Sequence, residues 1–412
     1  MYRGDGVQNV PGRWWTLSWE DDGVMPWKEW GVKEQRFRFI EECRDEERNM
    51  AELCRDYGIS RTTGYKWLVR YEEYGIDGLD ELSRAPMAHP NRIGDAIESR
   101  VLAVRARHGS WGAPKIRAVL ARELEPGCLP AESTIGEILR RHGLTVPVGK
   151  RRERRPGAGP LAGVVGANQV WCADYKGWFR TADGARMDPL TVSDAHTRYL
   201  IKCQGLKSAS SDNTRAVMEA AFREHGLPER IRTDNGTPFA GNGASGLSAL
   251  SVWWIKLGIV PERITPGKPQ ENGRHERMHR TLKAETASPP ANNWRAQQAR
   301  FDQFRREYNE QRPHEALGMA TPASVYGGSP RRYTGRPGPV EYPSDRDVRM
   351  VAPGGQIRWH SGHVFVAHAL EGERVWLEQI GELRWRVWFS FYEVGIMESG
   401  RPGLLPPAGG AQ

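Results

Sequence analysis

A chain of 412 residues with 38% apolar side chains and 16 Trp is too long for one ordinary core and too apolar to stay disordered, which predicts two to four packed domains. Lys and Arg number 59 against 51 Asp and Glu, a net charge of +8 that points to a polyanionic partner. The chain has no run of 18 apolar residues, and its five Cys (Cys43, Cys54, Cys128, Cys172, Cys203) are scattered; these patterns exclude a membrane span, a disulfide framework and a zinc site, and predict a soluble protein of the reducing cytoplasm.

Residues 1–33 form a Trp- and Gly-rich extension without periodicity. Within 34–90, Met50, Leu53, Cys54 and Tyr57 make a helical stripe, Gly58-Ile59-Ser60 breaks it, and Thr62 to Tyr74 resumes it. A helix, a short turn and a second helix capped by Ser60 predict a helix-turn-helix. Arg61, Thr62, Thr63, Tyr65 and Lys66, near the start of its second helix, are the candidates for contact with DNA bases. The alternative is an ordinary helical hairpin.

Residues 91–148 repeat the pattern loosely. A helix opens at Trp111-Gly112-Ala113-Pro114, and another runs from Ser133-Thr134-Ile135 to His142-Gly143-Leu144. The basic linker 149–166 follows, with Lys150, Arg151 and Arg152 as candidates for tracking a phosphate backbone.

From 167 the period changes to two. Strands are expected over Val170 to Arg180, Pro189 to Asp194 and Tyr199 to Gly205, with a hairpin turn at Asp183-Gly184. A helix over Asp212 to His225 and a strand over Arg230 to Thr233 come next. Leu247 to Leu257 reads as a helix, Ile259 to Ile264 as a strand, and Gln270 to Thr286 and Asn292 to Tyr308 as helices. Hairpin strands followed by alternating helices and strands predict a mixed α/β sheet over 167–326, in the order of ribonuclease H-like folds. A Gly- and Pro-rich linker spans 327–348. Within 349–398, Gln356 to Trp359, His363 to Val366, Arg374 to Leu377 and Trp385 to Phe389 alternate apolar with polar residues and predict a small all-β barrel. Its Arg358, Arg374, Arg384 and Arg386 either meet DNA or coat a solvated face. A tail covers 399–412.

Three carboxylates are marked by their contexts. Asp174 lies among Val170, Trp171, Cys172 and Tyr175 in a strand, where an acid is costly unless paired or metal-bound. Asp234, in Thr233-Asp234-Asn235-Gly236, falls where a strand ends, although Asp-Asn-Gly is also a common turn. Glu276 lies on a helix whose Asn272, His279 or Arg280, and Lys283 are expected to share its face; a surface helix with i,i+4 ion pairs reads the same way. Hard oxygen ligands with basic side chains around them suit a pair of Mg²⁺ ions acting on a phosphodiester.

The run from Trp171-Cys172-Ala173-Asp174 through Thr233-Asp234-Asn235-Gly236 to Pro269-Gln270-Glu271-Asn272-Gly273-Arg274-His275-Glu276-Arg277-Met278-His279-Arg280-Thr281-Leu282-Lys283 resembles the integrase catalytic core of DDE transposases. Tyr308-Asn309-Glu310-Gln311-Arg312-Pro313-His314-Glu315-Ala316-Leu317, with Thr321-Pro322-Ala323, is similar to the signature that follows this core in bacterial insertion-sequence transposases. With the helix-turn-helix modules, the likeness covers about residues 30 to 395. It implies that Asp174, Asp234 and Glu276 hold two Mg²⁺ ions, or Mn²⁺. It further implies that the protein nicks the ends of a DNA element and joins them to target DNA, as a dimer or larger assembly on DNA. Asn235, Lys268, Arg274 and Lys283 are candidates for positioning the DNA backbone. Between Asp234 and Glu276 lie 41 residues, longer than the family's usual interval. The Gly-rich stretch 241–246 accounts for the excess as a surface insertion, and Glu271, which shortens the interval to 36, is the alternative ligand.

Overall fold

The computed structural model describes residues 31–44, 49–82, 93–145, 161, 163–241 and 245–407. They divide into two units, one ending at Arg92 and one beginning at Ile93. Lys150, Arg151, Arg152 and most of the N-terminal extension lie outside the described residues.

In the first unit α1 (Val32–Cys43), α2 (Met50–Asp56) and α3 (Arg61–Tyr74) enclose a core of Phe39, Ile40, Leu53, Cys54, Trp67 and Leu79. The Ser60 hydroxyl accepts the Thr63 amide N–H and starts α3 as expected. At Gly64 α3 touches its neighbours directly: a Cβ there would stand 2.7 Å from Cys54 Sγ and 2.9 Å from the Phe39 ring.

The second unit begins with three helices, α4 (Asp95–Arg107), α5 (Ala113–Leu120) and α6 (Glu132–Arg141), around Val101, Trp111, Ile116, Leu120, Ile135 and Leu139. Sequence periodicity predicted α5 and α6 but not α4, whose face toward the core buries only Val101 fully. Acids in its first turn and arginines in its last suit the helix dipole.

The central sheet contains β1 (Val170–Tyr175), β2 (Phe179–Arg180), β3 (Arg186–Asp194), β4 (Leu200–Leu206), β5 (Arg230–Thr233) and β6 (Val260–Arg263). Strand β3 pairs antiparallel with β4, β2 and β1; β1 then pairs parallel with β5, and β5 with β6. This is the mixed α/β sheet expected. The single strand predicted over Val170 to Arg180 is broken, because Gly177 adopts φ of +87° and turns the chain between β1 and β2. One face, with Trp171, Ala173, Leu190, Val192 and Ile201, packs on α7 (Ser211–His225) and α8 (Ala249–Lys256). The other receives α9 (Gly273–Thr286) and α10 (Trp294–Arg306) through Met278, Leu282, Phe301 and Phe304.

Strand β4 would be an exposed edge, but side chains from and after α10 occupy its backbone groups. Asn309 accepts the Leu200 N–H at 2.7 Å and donates to the Leu200 carbonyl at 2.9 Å. Gln298 does the same for the Gly205 N–H and the Cys203 carbonyl. Unpaired strand edges template further pairing, so these amides close the sheet.

The C-terminal region is not the closed barrel that sequence alternation predicts. It forms an open four-stranded sheet of β7 (Asp347–Met350), β10 (Arg374–Gly381), β11 (Arg384–Phe389) and β12 (Tyr392–Glu398), and a hairpin of β8 (Gln356–Trp359) and β9 (Gly362–Phe365). Closure fails because short β7 ends the sheet on one side while Leu405 and Gly403 bridge to Ile396 and Phe365. The two layers share a core of Ile357, Val364, Val375, Val387 and Phe389 that includes Val252 and Ile255 of α8. Arg384 pairs with Glu398, and Arg386 with Glu378 and Glu393. Those two arginines are neutralised within the sheet, while Arg358 and Arg374 remain exposed.

Candidate functional site

Two adjacent parallel strands bring the aspartates together. Cys172 of β1 is in register with Arg232 of β5, so Asp174 and Asp234, each two residues further on, emerge side by side at the carboxyl ends of their strands. That is where open α/β sheets bind ligands. Along β1, Trp171 and Ala173 enter the α7/α8 core, which turns Asp174 to the α9 face.

Helix α9 lies over this end of the sheet. Burial first, then the charge of Asp234 and that of Glu276, push the Asp174 carboxyl up to about 7. Asn272, in the turn before α9, donates to Asp174 Oδ2 at 3.2 Å. His275 and His279 are buried between α9 and β3, where their Nε2 atoms both lie 2.6 Å from the Thr191 hydroxyl. Burial drives both imidazoles strongly toward the neutral form, to about 3 for His275 and about 2 for His279. Ligand atoms of Asp174, His275 and His279 lie within 4.8 Å of one another, a group able to hold a metal ion.

Glu276 stands on the exposed rim of α9 instead, beside Lys176, Arg280 and Lys283 around an open cavity of about 600 Å³. The helix face predicted from spacing is therefore split. Asn272 and His279 turn inward and are buried, whereas Glu276, Arg280 and Lys283 face solvent. Glu271 is engaged elsewhere: its Oε2 accepts the Thr265 amide N–H at 2.9 Å, which holds its carboxyl below the usual range.

The other sequence candidates separate in the same way. Lys268 and Lys283 are exposed. Asn235 donates its amide to the Ile264 carbonyl at 2.8 Å, and Arg274, half-buried, donates to the Ala195 carbonyl at 3.1 Å; both side chains therefore brace loops of the core. On α3, Arg61, Thr62, Tyr65 and Lys66 are exposed, but Thr63 is drawn into the cap by a 2.8 Å contact with the Ser60 hydroxyl. Sequence reasoning missed Lys176 and the pair His275 and His279. Lys176 keeps the strand parity of Asp174, which is the signal that marks it. Nothing in α9 alone indicates that its histidines meet at Thr191.

Residues 165–269 and 257–322 match two descriptions of an integrase core domain, residues 35–87 a helix-turn-helix domain, and residues 63–139 a homeodomain-like domain. The chain carries an integrase core. Among its relatives is the uncharacterized 31.7 kDa protein of insertion element IS407 from Burkholderia multivorans, 26% identical over 244 residues that span 57% of this chain and 82% of that protein. Transposase InsD of insertion element IS2 from Escherichia coli is 25% identical over 234 residues, 52% of this chain and 72% of that one. An integrase core with insertion-sequence transposase relatives marks a polynucleotidyl transferase of the DDE type. Among solved structures, the HTLV-2 integrase catalytic core domain in complex with magnesium is 16% identical and covers 39% of this chain and 97% of its own, at a TM-score of 0.31. A simian T-cell lymphotropic virus intasome in complex with PP2A regulatory subunit B56 gamma is 15% identical over 69% of this chain and 99% of its own, at 0.36. Among the described residues no helix is long and apolar enough to cross a membrane.

Proposed function

We propose that this integrase core belongs to a transposase that binds the terminal inverted repeats of an insertion sequence, nicks its ends by hydrolysis, and joins each freed 3′-hydroxyl directly to target DNA. The observation that carries this reading is the setting of Asp174, whose proton affinity is raised by burial and by the charges of Asp234 and Glu276, a charge crowding that a divalent cation relieves. The donor set fits Mg²⁺, two ions in our reading, with Mn²⁺ also accommodated. Bound by these three carboxylates, such ions supply nucleophile activation and stabilise the leaving oxygen.

The chain's own residues do the rest. Lys176, Arg280 and Lys283 line the cavity beside Glu276 and neutralise the scissile phosphate and its neighbours. Asn272 fixes the rotamer of Asp174, and Thr191 ties α9 to β3 through both imidazoles. In nicking, water oxygen bonds to phosphorus as the bond from phosphorus to the 3′-oxygen breaks; the water gives a proton to solvent, and the leaving 3′-oxygen takes one up as the free 3′-hydroxyl. In joining, that 3′-hydroxyl gives its proton to solvent as its oxygen bonds to a target phosphorus, and the target strand's own 3′-oxygen leaves and is protonated in turn. Arg61, Thr62, Tyr65 and Lys66 on α3 face outward for base and backbone contact. Acting on two ends together requires at least two copies on DNA. Such a protein works in the cytoplasm, where bacterial DNA lies.

The test is a strand-transfer assay with the full chain, a duplex bearing the DNA that flanks its reading frame, and a supercoiled plasmid. Joined products should form with Mg²⁺ and none in EDTA. Selective binding of the duplex with no joining under any divalent metal would reduce the protein to a DNA-binding regulator.

A further inference from the structure

Trp178 is 55% exposed, although burying an indole is among the larger favourable terms open to a chain. It sits just past the Gly177 turn, at the mouth of the β2–β3 hairpin. Arg180 and Arg186, paired across that hairpin, bring their guanidinium carbons to 5.8 and 5.0 Å from its ring centre. Neither arginine is loose: Arg180 donates to the Gly184 carbonyl at 2.8 Å, and Arg186 to Asp188 at 2.8 Å. Behind them Phe179 packs edge-on against Phe301 with ring centres 6.3 Å apart, which seats the hairpin on α10. The ring is thus held out on a rigid support, and exposed cation–π contacts return only part of the lost burial.

Its position gives the exposure a use. Trp178 borders a recess of about 160 Å³ together with Lys176 and Lys283. The same two lysines line the larger cavity beside Glu276. One basic surface therefore runs from the indole to the candidate catalytic carboxylate. An aromatic face among cations is the chemistry that binds unpaired nucleic acid, since any base can stack on it while the cations follow the phosphates.

We propose that Trp178 is a stacking platform for an unpaired base of the DNA end, next to the phosphodiester cut at the Asp174, Asp234 and Glu276 site. The proposal rests on the reading that DNA ends are the substrate. In a paired end the base faces are covered by their neighbours; an end that opens by a base or more can lay one on the indole and lead its strand to the carboxylates. Stacking on a ring is indifferent to base identity, so this contact selects opened ends and leaves sequence reading to α3.

The test measures metal-free binding of the full chain to a fluorescent duplex bearing the DNA that flanks its reading frame, with its terminal bases either paired or mismatched. Trp178→Ala should bind the mismatched end roughly tenfold more weakly than wild type, and Trp178→Phe should keep most of the affinity. Abasic nucleotides are then placed at each terminal position in turn. At one position the abasic substitution should erase the difference between wild type and Trp178→Ala, because the base that stacks is gone. Equal binding by wild type and Trp178→Ala overturns the proposal, as does a difference that survives every abasic position. If wild type binds the flanking DNA no better than random duplex, the reading of DNA ends as substrate fails first.

Discussion

His279 Nδ1 and Asp174 Oδ2 face each other 3.8 Å apart, and the hydroxyl of Thr191 ties the two residues together. It meets the Asp174 carbonyl at 3.2 Å and Nε2 of His275 and of His279 at 2.6 Å, with one proton to give among the three. At least one of the two imidazoles therefore carries its proton at Nε2.

A pH dependence follows, with two opposed parts. The folded-state pKa values of His275 and His279 are depressed, so their contribution is present above about 6.5 and lost as pH falls toward about 3 and about 2. Asp174 is raised to about 7, so its contribution is present below about 4 and lost as pH rises to 7. Comparing wild type with Asp174→Asn in EDTA isolates the second part. The variant should be more stable by roughly 2–4 kcal/mol at pH 8, and the gap should close by pH 4. Denaturant unfolding at the two pH values checks this; a gap of the same size at both contradicts it.

Asn309 holds the β4 edge through both Leu200 backbone groups, so Asn309→Ala should leave a buried donor and acceptor unpaired. The expected loss is about 2–4 kcal/mol, read as a fall in Tm. An unchanged Tm would mean the edge is satisfied in another way.

Much of this was open to the sequence. Asp234 was placed at its strand end by the short strand Arg230 to Thr233, and Ser60 marked its helix by capping chemistry. Other features depended on partners distant in the chain. Asn309, 109 residues from Leu200, reads as part of a polar motif until the β4 edge lies beside it. Thr191 and the two histidines are 84 and 88 residues apart. The barrel expectation failed because alternation gives strand faces and not strand closure, which the bridge from Leu405 to Ile396 decides. Asn235 and Arg274, candidates for positioning the DNA backbone, each also bond to a backbone carbonyl, which no side-chain pattern announces.

For α3, Arg61→Ala with Lys66→Ala should cost selectivity for the flanking DNA more than general affinity, because both side chains are exposed on the helix's first two turns. Competition binding against random duplex at two salt concentrations checks this. Equal loss on every sequence would make them phosphate contacts.

The most direct test of the account is end nicking by wild type, Glu276→Gln and Glu271→Gln on a labelled flanking-DNA duplex in Mg²⁺. Glu276 borders the basic cavity and acts on Asp174, while Glu271 is occupied by the Thr265 backbone. Glu271→Gln should therefore nick substantially, and Glu276→Gln should bind the duplex and leave it intact. An active Glu276→Gln beside an inactive Glu271→Gln would contradict the assignment.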